Sequence, residues 1–449
     1  MARAAGAADF LDAIGAPVGR PIVTLLTSTP VACALAIGAA ASDRPIAPLG
    51  PRLTARELEP IVQSLDGELI VAEESSAELA HTLAASTGKR MTVLRDVLPS
   101  ARLLPTAADA HRPAAILHTS GTTGRPKPVH YLQGALVHRV ALNSELVGLS
   151  PGAVYATASP FHHIAGLGML FVAMGSGAAL MPLPRFDIDA WRRLAGHGVT
   201  HALVVPTMIE MLLDTGELAV PGLRVLQYGA SPIRPETLAR AMHALPGVRF
   251  VNIFGQTEGS PITALTMDDH ERACRDRPDL LGSVGRAART VELRIEHPDE
   301  DGVGEVVARA PHLFHVGADG WLHTGDLGRL DDEGYLFLSG RKGDKIVCGG
   351  ENVLPMEVEN VLATHPSVAE ACVFGLADDR YGEIVAAAVV AVPDTELPSW
   401  DDLRAYVRES LAGFKVPTRW EVLDELPRNA AGKVLRRQLI SERMKQGRG

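Results

Sequence analysis

Residues 118–129 read HTSGTTGRPKPV and follow directly on the apolar run AAIL at 114–117. Hydroxyls and glycines crowd this stretch: Thr119, Ser120, Gly121, Thr122, Thr123 and Gly124, with Lys127 close behind. Small residues let backbone amides turn toward an anion, hydroxyls add donors and the lysine adds charge, so the chemistry on offer is phosphate binding. It is not a Walker loop, because no Gly-Lys-Ser/Thr follows at the required spacing. Taken alone, such a cluster is equally a solvated turn. Further strings carry groups of interest: Gly229-Ala230-Ser231-Pro232, Asn252 with Phe254-Gly255-Gln256-Thr257-Glu258, Thr324-Gly325-Asp326, and PRNAAGKVLR at 427–436, which contains Lys433. Each also has an ordinary reading. FGQTE suits any strand-to-loop junction, an aspartate after glycine forms turns, and a lysine after glycine near a carboxyl end is usually a solvated charge.

These strings recur in order over roughly residues 20–435, and together they resemble the adenylate-forming superfamily of acyl- and aryl-CoA synthetases, nonribosomal-peptide adenylation domains and firefly luciferase. The resemblance implies a role for each. Ser-Gly-Thr-Thr-Gly-x-Pro-Lys is similar to the family's phosphate loop. Phe254 would pack on adenine, while Thr257 and Glu258 hold phosphate and Mg2+; a flat ring suits a purine face, and a carboxylate suits a hard cation that prefers oxygen. Residues 229–232 resemble the adenine-side loop, with Asn252, Gly255 and Gln256 among the nucleotide contacts. Asp326 and Arg341 match the two ribose contacts, and Lys433 the lysine that bridges carboxylate, α-phosphate and ribose as charge builds in the transition state. His163, in PFHHIAGL at 160–167, matches the residue that gates or lines the acyl pocket, with core histidine as the plain alternative. Gly166, Tyr228 and Gly255 complete the expected wall. No aspartate lies between Ser159 and Leu170, where amino-acid-activating domains hold the substrate ammonium, so an uncharged acid is favoured. Gly349 and Gly350 resemble the pair lining a pantetheine tunnel, where a β-carbon would obstruct the arm; they also suit a bare turn.

The elements that must position these residues are legible in the patterning. From residue 21 to about 340, short β-rich runs alternate with amphipathic helical stretches, the pattern of parallel sheets flanked by helices. Residues 199–205 predict a strand, 206–213 a helix, and 223–228 a strand ending in the turn at 229–232. Ligand loops gather at the carboxyl ends of such strands. Between 287 and 338 four strand-like runs with Gly and Asp turns predict a small β subdomain. The fold class is therefore α/β: a large N-terminal domain of packed αβ sheets with a small β-barrel-like subdomain over 1–340, then a small mobile C-terminal α+β domain over 341–449. Gly343, two residues after Arg341, stands at the expected hinge, where a glycine eases rotation.

Composition narrows the function classes. Among 449 residues, 46% are apolar and 21% charged, and a net charge of −10 argues against a nucleic-acid scaffold. Cys33, Cys274, Cys348 and Cys372 are far apart and form no CxxC pair, which predicts reduced thiols in a cytoplasmic protein. Residues 22–41 are interrupted by Thr24, Thr27, Ser28, Thr29 and Pro30, so a buried strand, turn and helix are expected there rather than a membrane span. Asp9 and Asp12 break any signal-peptide core.

Three departures from the family are visible. The phosphate loop arrives near residue 120, about fifty residues early, so the leading strands are expected to be short or absent. The segment 305–324 is compact, a trimmed surface for a bulky substrate or protein partner or else a simple loop deletion. Gly343 replaces the usual charged hinge residue. The expectation is an acyl- or aryl-CoA ligase using ATP, Mg2+ and CoA on a small-molecule carboxylic acid. Two alternatives stay open: a stand-alone enzyme loading the phosphopantetheine arm of an acyl or peptidyl carrier protein, and a non-catalytic nucleotide-binding relative.

Overall fold

The computed structural model describes the chain except residues 106–108, 120–125, 315, 349–350, 379, 430–432 and 447–449, with residues 442–446 described by backbone alone. Two compact units emerge, one of Met1–Glu292 with Ala308–Leu322, the other of Leu293–Val307 with His323–Gly449.

The first unit holds two sheets. One runs Arg90–Val93, Leu69–Ala72, Ile22–Leu25, Ile46–Pro48, Pro113–Thr119, Lys127–Leu132 in spatial order, parallel except for the last pair. Its leading four strands are present but only three or four residues long, in line with the early phosphate loop. Alternate side chains point to opposite faces. Ile22, Leu69 and Val71 therefore pack with Leu35 and Ala36 of the Pro30–Ala41 helix, and Val23, Leu25 and Ile70 with Leu58, Val62 and Leu83 of two helices on the other face. The stretch at 22–41 is the expected strand, turn and helix. Thr29 caps that helix by accepting from the Ala32 amide at 3.2 Å, with Pro30 at its first turn. Among the described residues no helix is long and apolar enough to cross a membrane.

The second sheet contains seven strands, and its central order is Arg249–Gln256, Val225–Gly229, His201–Val204, Val154–Thr157, all parallel. The helix Pro206–Asp214 connects two of them, close to the predicted boundaries. Leu226, Tyr228 and Phe250 enter the core on one face, Val225, Val251 and Ile253 on the other. Burial on both faces explains why these strands read as continuous apolar runs.

In the second unit, strands Glu292–Glu296, Gly304–Arg309, Leu322–Leu330 and Leu336–Arg341 make a four-stranded sheet in chain order. The Ile346–Cys348 strand begins a five-stranded sheet, whose long hairpin Val368–Asp378 with Gly382–Ala391 forms the backbone of the C-terminal module. Val358, Leu362, Val373, Val385 and Val407 fill its core. None of the four cysteines is in a disulfide.

Candidate active site

Parallel pairing brings two of the sequence strings together. Tyr228 pairs with Asn252 and Gly229 with Ile253, so the turn at 229–232 and the string 254–258 leave neighbouring strands at the same edge. Ala230 takes φ +71, a left-handed conformation uncommon outside glycine and a mark of a constrained turn. Asn252, 6% exposed, donates through Nδ2 to the Tyr228 carbonyl at 3.3 Å, while its Oδ1 has no partner among the described residues. The Gln256 Nε2 is likewise buried and unpartnered. An orphan acceptor and an orphan donor at one strand edge are costly unless a ligand satisfies them.

The next residues are fixed through their backbones. The Thr257 carbonyl accepts from the Tyr131 hydroxyl, and the Glu258 carbonyl from the Phe314 amide at 2.7 Å. The Glu258 carboxylate makes no hydrogen bond or ion pair among the described residues, which leaves a hard oxygen donor of the kind Mg2+ requires. Gly255 is sterically required: a β-carbon there would lie 2.6 Å from that of Ser260 and 2.9 Å from the Gly259 carbonyl oxygen.

Thr119 pairs with Lys127 in the antiparallel ladder of Pro113–Thr119 and Lys127–Leu132, so both ends of the phosphate-loop segment are pinned. Ser120, Gly121, Thr122, Thr123 and Gly124 lie outside the described residues, as do Gly349 and Gly350. His163 caps the Ile164–Gly175 helix through its backbone, its carbonyl accepting from the Gly166 amide at 3.0 Å. The rings of His162 and His163 are 4.4 Å apart. Two expected wall residues have other surroundings. Tyr228 is 1% exposed in the apolar core, its hydroxyl 2.8 Å from His270 Nε2. Gly166 is packed on its own turn, a β-carbon there falling 2.3 to 2.4 Å from the Pro160 and Ser159 carbonyl oxygens.

In the second unit, Asp326, 6% exposed, accepts from Arg341 Nε at 2.8 Å, across a strand pair that sets the two residues opposite one another. Gly325 precedes it at φ +70, while Thr324 donates to the Val306 carbonyl at 2.7 Å and accepts from the Asp326 amide at 3.1 Å. Burial pushes the Asp326 carboxyl above its usual range, with Arg341 and then Lys433 pulling it down. Lys433 keeps exposed surface. Desolvation and then Arg341 draw its ammonium pKa down, against Asp326 and Asp344. Its backbone is held at both polar groups: the Lys433 amide donates to Asn429 Oδ1 at 3.0 Å, and its carbonyl accepts from the Asn429 amide at 2.9 Å. Gly343 has an ordinary φ and free space where a β-carbon would be, so this conformation does not require glycine there.

Some residues of this region carry no recognisable string. Arg436 donates to Asp344 at 2.5 Å and to Glu359 at 2.6 Å, tying the chain just past Lys433 to the segment after Arg341. Arg139 is buried beside Ser260; a lone charge in the apolar run GALVHRVAL was the available signal.

Buried histidines give the first unit a defined acid lability. Burial pulls the pKa of His118 down to about 4, of His162 to about 3 and of His270 to about 4. Their folded pKa values lie below the unfolded value of about 6.5, so the unfolded chain binds more protons between the two. Stability is full above pH ~6.5 and falls as the pH drops from there, by about 1.4 kcal/mol per pH unit per group once each is well below 6.5. Urea unfolding at pH 7, 6 and 5 should give a slope approaching three protons from this trio; stability independent of pH over that range would contradict their buried, neutral state.

A family model described as "AMP-binding enzyme" matches residues 1–316, and "AMP-binding enzyme C-terminal domain" matches residues 357–433. The chain belongs to the AMP-binding enzyme family. Indoleacetate–CoA ligase of Aromatoleum aromaticum is 36% identical, over 74% of this AMP-binding enzyme and 68% of that protein. A fatty acid–[acyl-carrier-protein] ligase, ScoC of Streptomyces coeruleorubidus, is 33% identical over 96% of this chain and 88% of its own. Among solved structures, o-succinylbenzoate coenzyme A synthetase of Bacillus subtilis in complex with ATP and magnesium is 27% identical with a TM-score of 0.84, covering 98% of this chain and 93% of that one. The α/β architecture of the AMP-binding enzyme is thus that of adenylate-forming enzymes.

Proposed function

We infer that this AMP-binding enzyme is an acid–thiol ligase that activates a carboxylic acid as its acyl-adenylate and then transfers the acyl group to the thiol of CoA. The observation that supports the reading is Lys433 in the field of the buried Asp326 and its partner Arg341.

ATP would lie with adenine on Phe254 and along 229–232, its amino group on Asn252 Oδ1 and its ribose hydroxyls on Asp326 and Arg341. Thr119 to Gly124, Lys127 and Thr257 are assigned to the phosphates. Glu258 would hold Mg2+, which neutralises phosphate charge. In the first step an oxygen of the acid attacks the α-phosphorus, that P–O bond forms, the bond to the β-phosphate bridging oxygen breaks, and pyrophosphate leaves with the electron pair. Lys433 stabilises the extra negative charge in that transition state. In the second step the thiol sulfur attacks the acyl carbon and AMP leaves. A hinge at 341–343 would let the C-terminal domain turn between steps, withdrawing Lys433 and presenting Gly349 and Gly350 to the pantetheine arm. His163 is assigned to the acyl pocket.

The ScoC relative, similar over almost the whole chain, supports a second reading in which the acceptor is a carrier-protein phosphopantetheine. Pyrophosphate release with Mg-ATP over aryl, fatty and polycyclic acids, with and without CoA, separates the two. Acid-dependent release that becomes multiple-turnover with CoA is the expected result; release that CoA leaves unchanged assigns the acceptor to a carrier protein, and no release with any acid overturns the reading.

A further inference from the structure

Two carboxylates of the second unit act on the Lys433 ammonium, Asp326 and Asp344. Among the described residues it forms an ion pair with neither. Both acids are already claimed by arginines: Asp326 accepts from Arg341 Nε at 2.8 Å, and Asp344 Oδ2 accepts from Arg436 Nη1 at 2.5 Å. Lys433 is thereby left as the cation without an anion. The chain sets this up locally, because Arg436 stands three positions after Lys433 and Asp344 three positions after Arg341. One ion pair joins the two segments.

The arm that carries Lys433 has other means of keeping its shape. It closes as a narrow hairpin in which the Leu435 amide donates to the Pro427 carbonyl at 2.7 Å, Arg428 pairs with Val434, and Asn429 bonds both backbone groups of Lys433. At its base Leu426 and Leu439 are buried against Cys372 and Phe374. The Arg436 guanidinium also donates through Nη2 to Glu359 Oε1 at 2.6 Å, an oxygen that the Val373 amide reaches at 2.7 Å. One carboxylate is enough to neutralise one arginine. The additional one, Asp344, keeps 36% of its side chain exposed, where an ion pair adds little to stability. Its larger effect falls on Lys433: an ammonium on a flexible four-carbon stem swings readily to a bare carboxylate, whereas a guanidinium fork already seated there shuts it out.

We propose that Arg436 is a positioning residue for adenylation: by occupying Asp344 it stops that carboxylate from capturing Lys433, and so leaves the ammonium free for the charge that builds at the α-phosphate. This rests on the acid-activating reading above and adds how its lysine is kept available. The test uses the whole chain, with Arg436→Met, Asp344→Asn and the two combined. Arg436→Met bares Asp344 and should lower single-turnover acyl-adenylate formation on the order of tenfold, with thioester formation from supplied acyl-AMP little changed. Removing the bared acid in Arg436→Met/Asp344→Asn should restore most of the lost rate, whereas a merely structural clasp would lose more with each partner removed. Arg436→Gln, which also takes away the cation, serves if Arg436→Met does not fold. A second readout needs no turnover. The charged groups facing Lys433 are Arg341, Asp326, Asp344 and Arg436; the arginines lower its pKa and the acids raise it. Acetylation of Lys433 by acetic anhydride over a pH series, followed by mass spectrometry, should therefore show a midpoint that moves up in Arg436→Met and returns in the double variant. Full adenylation by Arg436→Met, no recovery in the double variant, or an equal loss of both half-reactions overturns the proposal while leaving acid activation standing. Should the unaltered enzyme adenylate no acid, the activation reading fails and the acetylation series decides: a midpoint that moves up keeps Arg436 in control of Lys433, and one that stays put overturns it.

Discussion

Lys433→Ala lowers acyl-adenylate formation by about 100- to 1,000-fold, the loss typical when one preorganised donor is removed from a developing oxyanion. The lysine is positioned by a short bridge in which Arg428 pairs with Val434, and Asn429 bonds both its amide and its carbonyl. Substitution at the side chain leaves those backbone bonds in place, so the loss belongs to chemistry rather than folding. Asp326 and Asp344 are its acidic neighbours, each already paired with an arginine, Arg341 and Arg436, so removing the ammonium takes away the cation assigned to the transition state without freeing either carboxylate. Thioester formation from supplied acyl-AMP should proceed at close to the unaltered rate, because the second step makes its new bond at the acyl carbon rather than at phosphorus, with Lys433 withdrawn. Single-turnover measurement of both half-reactions checks the split; a variant that still adenylates, or one that loses both steps equally, contradicts the assigned role.

Asp326→Asn weakens ATP binding about 100-fold, read as a rise in the KM for ATP larger than the fall in kcat. Asp326 is a buried carboxylate whose Oδ1 accepts from Arg341 Nε, and truncating one member of such a pair costs on the order of 2–5 kcal/mol. The variant keeps the side-chain volume but removes the charge that pairs with Arg341 and that is assigned to the ribose hydroxyls. Because burial raises the Asp326 pKa, the carboxylate form is lost at higher pH than for an exposed aspartate, so, with ribose assigned to it, the KM for ATP in the unaltered enzyme should climb on acidification before that of a site built on an exposed aspartate. An unchanged KM in Asp326→Asn would remove Asp326 from the nucleotide site.

Residues whose role is set by local chain order were legible in the sequence. The strand, turn and helix at 22–41, the strand ending at Gly229 and the strand-like run at 114–117 before the phosphate loop follow from apolar periodicity and from glycine and proline punctuation; the return strand Lys127–Leu132 was not read. The motif strings were legible because each packs its groups within a few consecutive residues. Tertiary facts were not. That the Tyr228 ring enters the core follows from which face of the strand meets Leu226 and Phe250, and Gly166 owes its identity to two carbonyls of its own turn. Arg139 and Arg436 act through partners more than seventy positions away, so no spacing rule reaches them. Gly343 was read as a hinge from its place after Arg341, and one conformation supplies no steric demand for glycine there.

Adenylation requires an acid oxygen to become bonded to the α-phosphorus of ATP. Supplying the accepted acid with both carboxylate oxygens labelled as 18O, together with unlabelled ATP and the thiol acceptor, traces that bond directly by mass spectrometry of the products. One labelled oxygen per AMP, none in pyrophosphate and the remaining label in the thioester is the predicted result. Unlabelled AMP, or formation of ADP with label in inorganic phosphate, would contradict adenylation as the activating step.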